Sequence, residues 1–258
     1  MRHLTPYEQT QLARHGNGMS PATDLGTTPI EYVTGVAEFL GLSFFVSPAV
    51  LIPRIETEEL VELALQTISE RISTASAQHP LSIADIGTGS GAISISLAKH
   101  CRHFQDRVAF FASDVSEAAL AVAKKNAQSL LSPEEPQITF LHSNVLRNYP
   151  EKAYDLIIAN LPYIPTDHLN TLDASVKDHE PVLALDGGPD GFALIRVLIE
   201  EAPQYLTPHG VLLLEIDDSH SIANFIGLSA FYSVEVYKDS FGKNRFAKLT
   251  RTDHAPVA

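Results

Sequence analysis

The sequence predicts an α/β fold built on a doubly wound, mostly parallel sheet, and three observations predict it. From Leu81 onward, short and nearly continuous apolar runs alternate with helical patterns, which is how strands covered on both faces read in sequence. A glycine-rich stretch, Asp85-Ile86-Gly87-Thr88-Gly89-Ser90-Gly91, falls where the first of those runs gives way to the first helical pattern, the place where open α/β sheets bind ligands. The 258 residues are 45% hydrophobic and 19% charged, enough apolar material for one large core, or one core plus a small appendage.

The elements follow in order. Thr5-Pro6-Tyr7-Glu8 reads as a helix start, with Thr5 as cap, Pro6 at the first helical position and Glu8 at capping-box spacing; Gly16-Asn17-Gly18 ends that helix. Between Ile30 and Val46 two β-prone runs, IEYVTGV and LSFFVS, flank AEFLG and predict a hairpin. Apolar Leu60, Val61, Ala64, Leu65, Ile68 and Ile72 recur at helical spacing, so Glu56 to Ile72 is an amphipathic helix. Ser73 to Pro80 is small, polar and aperiodic, as linkers are. Residues 1–55 are expected to form a small helix and β-hairpin segment, and residues 56–258 the main domain.

Within that domain LSIADIG, VAFFASD, ITFLHS, YDLIIAN, GVLLLEI, SVEVYK and RFAKLT read as seven strands. Ala92 to Lys99, Ser116 to Leu130, Phe192 to Tyr205 and Ser219 to Ile226 read as helices. The last two strands are joined by the short DSFGKN and should form an antiparallel hairpin at the sheet edge.

Composition narrows the function. No apolar stretch approaches the ~20 residues of a membrane helix, and the first 25 residues hold no apolar signal-peptide region. The single cysteine, Cys101, permits no internal disulfide and suits a reducing, cytoplasmic setting. A net charge of −13 disfavours a protein whose affinity rests on neutralising phosphates. His100, Cys101 and His103 form a local cluster with no second group to complete a metal site, so no metal is expected.

The glycine loop fits two cofactors. Read through Ala92 as G-x-G-x-x-A it matches a dinucleotide fingerprint. Asp85 tilts the balance: a carboxylate there would face a pyrophosphate unfavourably but suits the ammonium and sulfonium of S-adenosylmethionine. Asp114, ending the second strand 23 residues past Gly91, is placed to accept from ribose hydroxyls, or else to cap the helix that follows. Asn144 and Val145 after the third strand could meet the adenine, though Asn144 also suits a plain turn.

Asn160-Leu161-Pro162-Tyr163 follows the fourth strand and so lies at the same sheet edge. Beyond a strand-ending turn, this quartet suits methyl transfer to a planar NH2 group, whose delocalised lone pair is a poor nucleophile. The Asn160 side-chain oxygen and the Leu161 carbonyl could accept both NH protons and aim the nitrogen, with Tyr163 stacking on the flat group. Those hydrogen bonds would strengthen as the nitrogen becomes cationic.

The set DIGTGSG, ASDVS and ANLPYI resembles amino-methyltransferases of the (N/D)-P-P-Y type. Val33 to Glu62, His179 to Gly191 and Lys238 to Arg245 narrow the likeness to the HemK/PrmC family, which methylates the glutamine of the GGQ motif in class I peptide-chain release factors. The resemblance runs from about Thr28 to about Leu249. It implies a Rossmann-like class I methyltransferase in which Asp85, Gly87, Thr88, Gly89, Ser90, Gly91 and Asp114 bind S-adenosylmethionine. It further implies that Asn144 and Val145 lie by the adenine and that Asn160, Leu161, Pro162 and Tyr163 hold the glutamine amide, Asn160 also touching the cofactor. A release factor is then the protein partner of a monomer, with neither membrane nor nucleic acid involved. Two departures stand out: Leu161 replaces the family's usual proline, and the segment before the hairpin is short for the family's N-terminal helical domain. The rival readings are a nucleic-acid base methyltransferase, an NAD-dependent oxidoreductase and an inactive binding module.

Overall fold

The computed structural model describes residues 4–16, 24–150, 153–228 and 231–252. The chain begins with α1 (Pro6–His15), where the Thr5 hydroxyl accepts from the Glu8 amide and Glu8 reaches back to the Thr5 amide, the expected capping box. Gly16 caps its end; Asn17 and Gly18, expected to help terminate it, lie outside the described residues.

The hairpin forms with different boundaries from those expected. Ile30–Thr34 is a short helix, α2, and the strands are β1 (Val36–Phe39) and β2 (Leu42–Phe45). Pro29 pre-sets the chain for the helix start, the Thr34 hydroxyl donates to the Ile30 carbonyl, and Gly35 closes the helix in the left-handed region. Leu40 and Gly41, both at positive φ, then make a two-residue turn whose twist matches paired strands. The β propensity of IEYVT yields to these end signals.

The amphipathic helix expected over Glu56–Ile72 is α3 (Ile55–Arg71), followed by a single 3-10 turn. After the linker come β3 (Leu81–Ile86), α4 (Ala92–His100), β4 (Val108–Asp114), α5 (Glu117–Leu130), β5 (Ile138–His142) and β6 (Tyr154–Ala159). Between β6 and α7 (Ala193–Glu201) the chain makes only tight turns and the four-residue α6 (Ala174–Lys177). Pro203 stops α7 short of the expected Tyr205, because proline lacks the amide and crowds the carbonyl four residues back. The chain closes with β7 (Leu206–Glu215), β8 (Tyr232–Lys238) and β9 (Asn244–Arg251). The helix expected at Ser219–Ile226 is one 3-10 turn, Ile222–Phe225, capped by Ser221 and Asn224; Gly227 at positive φ leaves it no room to extend.

Seven strands form one sheet in the order β5-β4-β3-β6-β7-β9-β8, with β9 antiparallel to both its neighbours and the other pairings parallel. Both faces are covered. Ile83, Leu156, Ile158, Val211 and Leu213 point to one face, under α3, α4 and the hairpin's Phe39 and Phe44; Ala84, Ile86, Ile157, Ala159, Leu212 and Leu214 point to the other, under α7. This period-two partition explains why the strands read as unbroken apolar runs. Burying each of Phe39 and Phe44 contributes roughly 1.5–3 kcal/mol to seating the hairpin.

Candidate active site

The register sets the site. Ile86 pairs with Ser113 and with Ala159, and Asp114 with His142, so β3, β4, β5 and β6 end level at one sheet edge. The chain leaves β3 toward β4 on one side, while β6 lies on the other. That reversal opens a crevice at the carboxyl ends of the strands. The cleft there is lined by Gly87 to Ser90, Asp114, Asn144, Val145, Asn160, Leu161 and Pro162, with Arg54, Thr57 and Pro181 at its flank. Four segments far apart in the sequence thus converge on one space.

The glycine loop is pinned from several sides. The Thr88 amide donates to the Ser113 carbonyl at 2.8 Å, and the Gly89 amide donates to Asp114 Oδ2 at 2.9 Å. The Asn126 side chain donates to the carbonyls of Ser90 and Phe45 and accepts from the Phe45 amide, locking the hairpin to the loop. Gly87 sits at φ +73°, where a side chain would also meet Leu161 Cδ2 at 3.0 Å. Only glycine meets both demands.

Asp85 lies beneath the loop instead of lining the cleft, and is 1% exposed. Its Oδ2 accepts from the Thr88 hydroxyl at 2.6 Å and the Ser94 amide at 3.3 Å, while Oδ1 is buried with no partner. Burial pushes its carboxyl up to about 6. Asp114 does line the cleft. One oxygen takes the Gly89 amide and the other the Ser116 amide at 2.9 Å, and the helix cap itself is Ser116, accepting from Ala119. Burial raises this carboxyl too. Val145 adopts φ +53°, uncommon for a β-branched residue, and is held there by the Ser143 hydroxyl, which donates to its carbonyl.

Of the Asn160-Leu161-Pro162-Tyr163 turn, the first three residues line the cleft. Tyr163 does not; its hydroxyl donates to Glu215 Oε1 at 3.1 Å, which anchors the turn from beneath. The turn is also braced from outside. Ile164 and Asp186 bridge two segments, and a Cβ on Gly187 would meet Tyr163 Cα at 2.7 Å, so the His179–Gly191 stretch seats directly on the turn.

Thr57, Glu180 and Glu215, which brace the cleft, were not found from sequence, whereas Arg54 at the start of α3 is already a candidate there for closing the pocket. The Asn160 amide nitrogen donates to the Thr57 hydroxyl at 3.0 Å, and that hydroxyl donates to Glu215 Oε2 at 2.7 Å. Glu215, 1% exposed at the end of β7, has its carboxyl raised by burial, against the pull of its two hydroxyl donors and of Arg245. Arg54 grips both oxygens of buried Glu180 at 2.7 and 2.8 Å, joining the start of α3 to the loop on the far side of the cleft mouth. Among the described residues no group of His, Cys, Asp and Glu side chains could hold a metal, and no helix is long and apolar enough to cross a membrane.

Comparison with known proteins agrees with this architecture. The model of the methyltransferase small domain matches residues 62–188. The release factor glutamine methyltransferase of Moorella thermoacetica is 41% identical over 220 residues, covering 84% of this chain and 73% of that protein. Its counterpart in Geobacter sulfurreducens is 35% identical over 219 residues, covering 84% and 71%. In fold, the chain is similar to the ribosomal protein L11 methylase of Lactobacillus delbrueckii subsp. bulgaricus, with a TM-score of 0.52 at 19% identity over 80% of this chain and 84% of that one.

Proposed function

This chain belongs to the release factor glutamine methyltransferase family, and we infer that it methylates the side-chain amide of the glutamine in the GGQ motif of a class I peptide-chain release factor. The observation that carries the site assignment is the shared lining of one cleft by the glycine loop, Asp114 and the Asn160–Pro162 turn. S-adenosylmethionine, when bound, supplies a methyl group on positively charged sulfur.

The residues present fit that cofactor. A buried carboxylate oxygen without a partner under the glycine loop, Asp85 Oδ1, suits a ligand with a cationic methionine end, and Asp114 at the cleft wall keeps lone pairs for ribose hydroxyls beside its two backbone donors. Gly87, Thr88, Gly89 and Ser90 line the cleft where the methionine would lie and Asn144 and Val145 where the adenine would; Gly91, expected with them, does not line it and packs instead toward Ile95 and Ala123.

The Asn160 Oδ1 and the Leu161 carbonyl accept the two NH protons of the glutamine amide and hold its nitrogen toward the cofactor. As the nitrogen gains positive charge its protons become more acidic, so both bonds strengthen in the transition state. No base is needed first, because the proton leaves afterwards. Tyr163 and Glu215 keep the turn from shifting. Arg54 and Glu180 close the mouth of the cleft. In this reading the protein works as a cytoplasmic monomer. The division at residues 55 and 56 then separates a docking segment from the catalytic domain.

The test is incubation with labelled S-adenosylmethionine and, separately, release factor, ribosomal RNA and DNA. Label is expected on the release-factor glutamine alone. Asn160→Ala should cut turnover by about 10²–10³ while leaving cofactor affinity intact. Label appearing only in nucleic acid would overturn the assignment.

A further inference from the structure

An asparagine amide has two ends of opposite character. For Asn160 to accept a proton from the substrate amide, its oxygen must face the cleft; with the nitrogen there instead, two donors would oppose each other. Nothing in the covalent structure of asparagine selects between these orientations. The neighbours do.

The Thr57 hydroxyl carries one proton. At 2.7 Å from Glu215 Oε2 it gives that proton to the carboxylate, which when ionised has none to return. Thr57 is left only lone pairs to offer, and the group it meets at 3.0 Å is therefore the Asn160 NH2. Asn160 Oδ1 is turned away from Thr57, and among the described residues no protein group donates to it. The far end of the relay is fixed as well. Glu215 Oε1 is taken by the Tyr163 hydroxyl. Arg245 of β9 faces Glu215 with positive charge and is itself held by Asp239 at 3.2 Å, while Glu56 of α3 faces it with negative charge. With one hydroxyl donating to each oxygen, the ionised carboxylate accepts on both, in a site closed to water.

We propose that Thr57 and Glu215 are positioning residues for methyl transfer, forming a one-directional hydrogen-bond relay that turns the Asn160 oxygen toward the substrate amide. The relay rests on the reading of Asn160 as the acceptor of that amide. It joins α3 to β7, so it ties the segment leading out of the hairpin to the geometry of the reacting group.

Three substitutions test it. Thr57→Val keeps the bulk and branching of the side chain and removes the relay; Thr57→Ser keeps the hydroxyl. Glu215→Gln, of the same shape, offers an NH2 to Thr57 and allows the relay to reverse. Thr57→Val and Glu215→Gln should lower kcat on release factor by about tenfold to a hundredfold, with KM and calorimetric affinity for S-adenosylhomocysteine within about twofold, and Thr57→Ser should recover most of the rate. A second readout needs neither cofactor nor turnover. In 15N–1H spectra of the ligand-free protein, the Asn160 side-chain NH2, assigned by its loss in Asn160→Asp, should exchange slowly with solvent in the parent and Thr57→Ser and rapidly in Thr57→Val. Equal protection in Thr57→Val, or unchanged kcat in both Thr57→Val and Glu215→Gln, would overturn the relay. If the protection pattern holds but Asn160→Ala still methylates release factor at the parent rate, it is the acceptor role of Asn160 that fails, and the proposed positioning role with it. Should Thr57→Val not fold, Glu215→Gln carries the same kinetic test.

Discussion

The Leu161 side chain closes directly over Gly87: a Cβ added to that glycine would meet Leu161 Cδ2 at 3.0 Å. The cofactor loop and the substrate turn therefore touch, bare backbone against side chain, and Leu161 is buried among the core residues of that face of the sheet. The departure from the family's usual proline is thus a packing residue as well as a turn residue.

Leu161→Pro sets two effects against each other. Proline suits the extended angle that a residue before Pro162 already favours, and restricting the unfolded chain contributes about 0.4–1 kcal/mol of stability. The lost isobutyl tip removes packing over Gly87, at about 0.8 kcal/mol per methylene plus the cavity left behind. The larger packing loss should win, lowering stability by about 1 kcal/mol in a urea titration, with methylation kept within about tenfold because the carbonyl keeps its direction. A collapse of activity in a protein that still folds would show that the leucine shapes the substrate pocket itself.

Much of this fold was legible in sequence because both faces of the sheet are buried, so strands such as YDLIIA and GVLLLEI carry a signal that loops cannot imitate. IEYVT misled because its β propensity is outweighed by a proline before it and a left-handed glycine after it. The glycine loop and the Asn160 turn were legible as motifs. Their supports were not, since Thr57 and Glu215 stand 158 residues apart in sequence and meet only through packing. One signal was available: Glu215 is a carboxylate at the end of an apolar run in a central strand, and such a group must find partners.

Asp114→Ala has a double consequence. Its oxygens hold the Gly89 and Ser116 amides, so alanine leaves both donors to find water and should cost about 1–2 kcal/mol of stability. Loss of the ribose contacts, worth roughly 1.5–3 kcal/mol each for a charged acceptor, should weaken S-adenosylmethionine binding by more than tenfold. Calorimetry with the cofactor, set beside a melting curve, separates the two. Unchanged affinity would remove Asp114 from the cofactor site.

Arg54→Ala should leave Glu180 buried without its cation. The pair is half-buried, with the arginine side chain 32% exposed and the glutamate 1%. Its loss should therefore fall between the ~0.2–1 kcal/mol of an exposed pair and the ~3–5 kcal/mol of a fully buried one. Burial already raises the Glu180 carboxyl, with Arg54 opposing; without Arg54 it rises further, so the variant's deficit should grow as pH rises through the titration of this carboxyl. A deficit independent of pH would mean that the arginine contributes only its stem packing.

Asp85 predicts a conflict between stability and binding. Its folded carboxyl holds a proton up to about 6, against an ordinary value near 3.8. Between those two values the folded protein binds more protons than the unfolded one, so this group's contribution to stability falls as pH rises through the window and is flat above it. The full loss is of the order of 3 kcal/mol. Asp85→Asn keeps an oxygen for Thr88 and Ser94 but cannot ionise, so the empty variant should melt higher than the parent at pH 7.5, with the gap closing toward pH 4. The same change removes the charge that suits a methionine ammonium, and S-adenosylmethionine affinity should fall by about tenfold or more. Thermal melts across pH 4 to 8, with and without cofactor, read both effects. A variant whose pH profile matches the parent's would show that Asp85 ionises without cost, and a variant that binds the cofactor as tightly as the parent would take this carboxylate out of the methionine pocket.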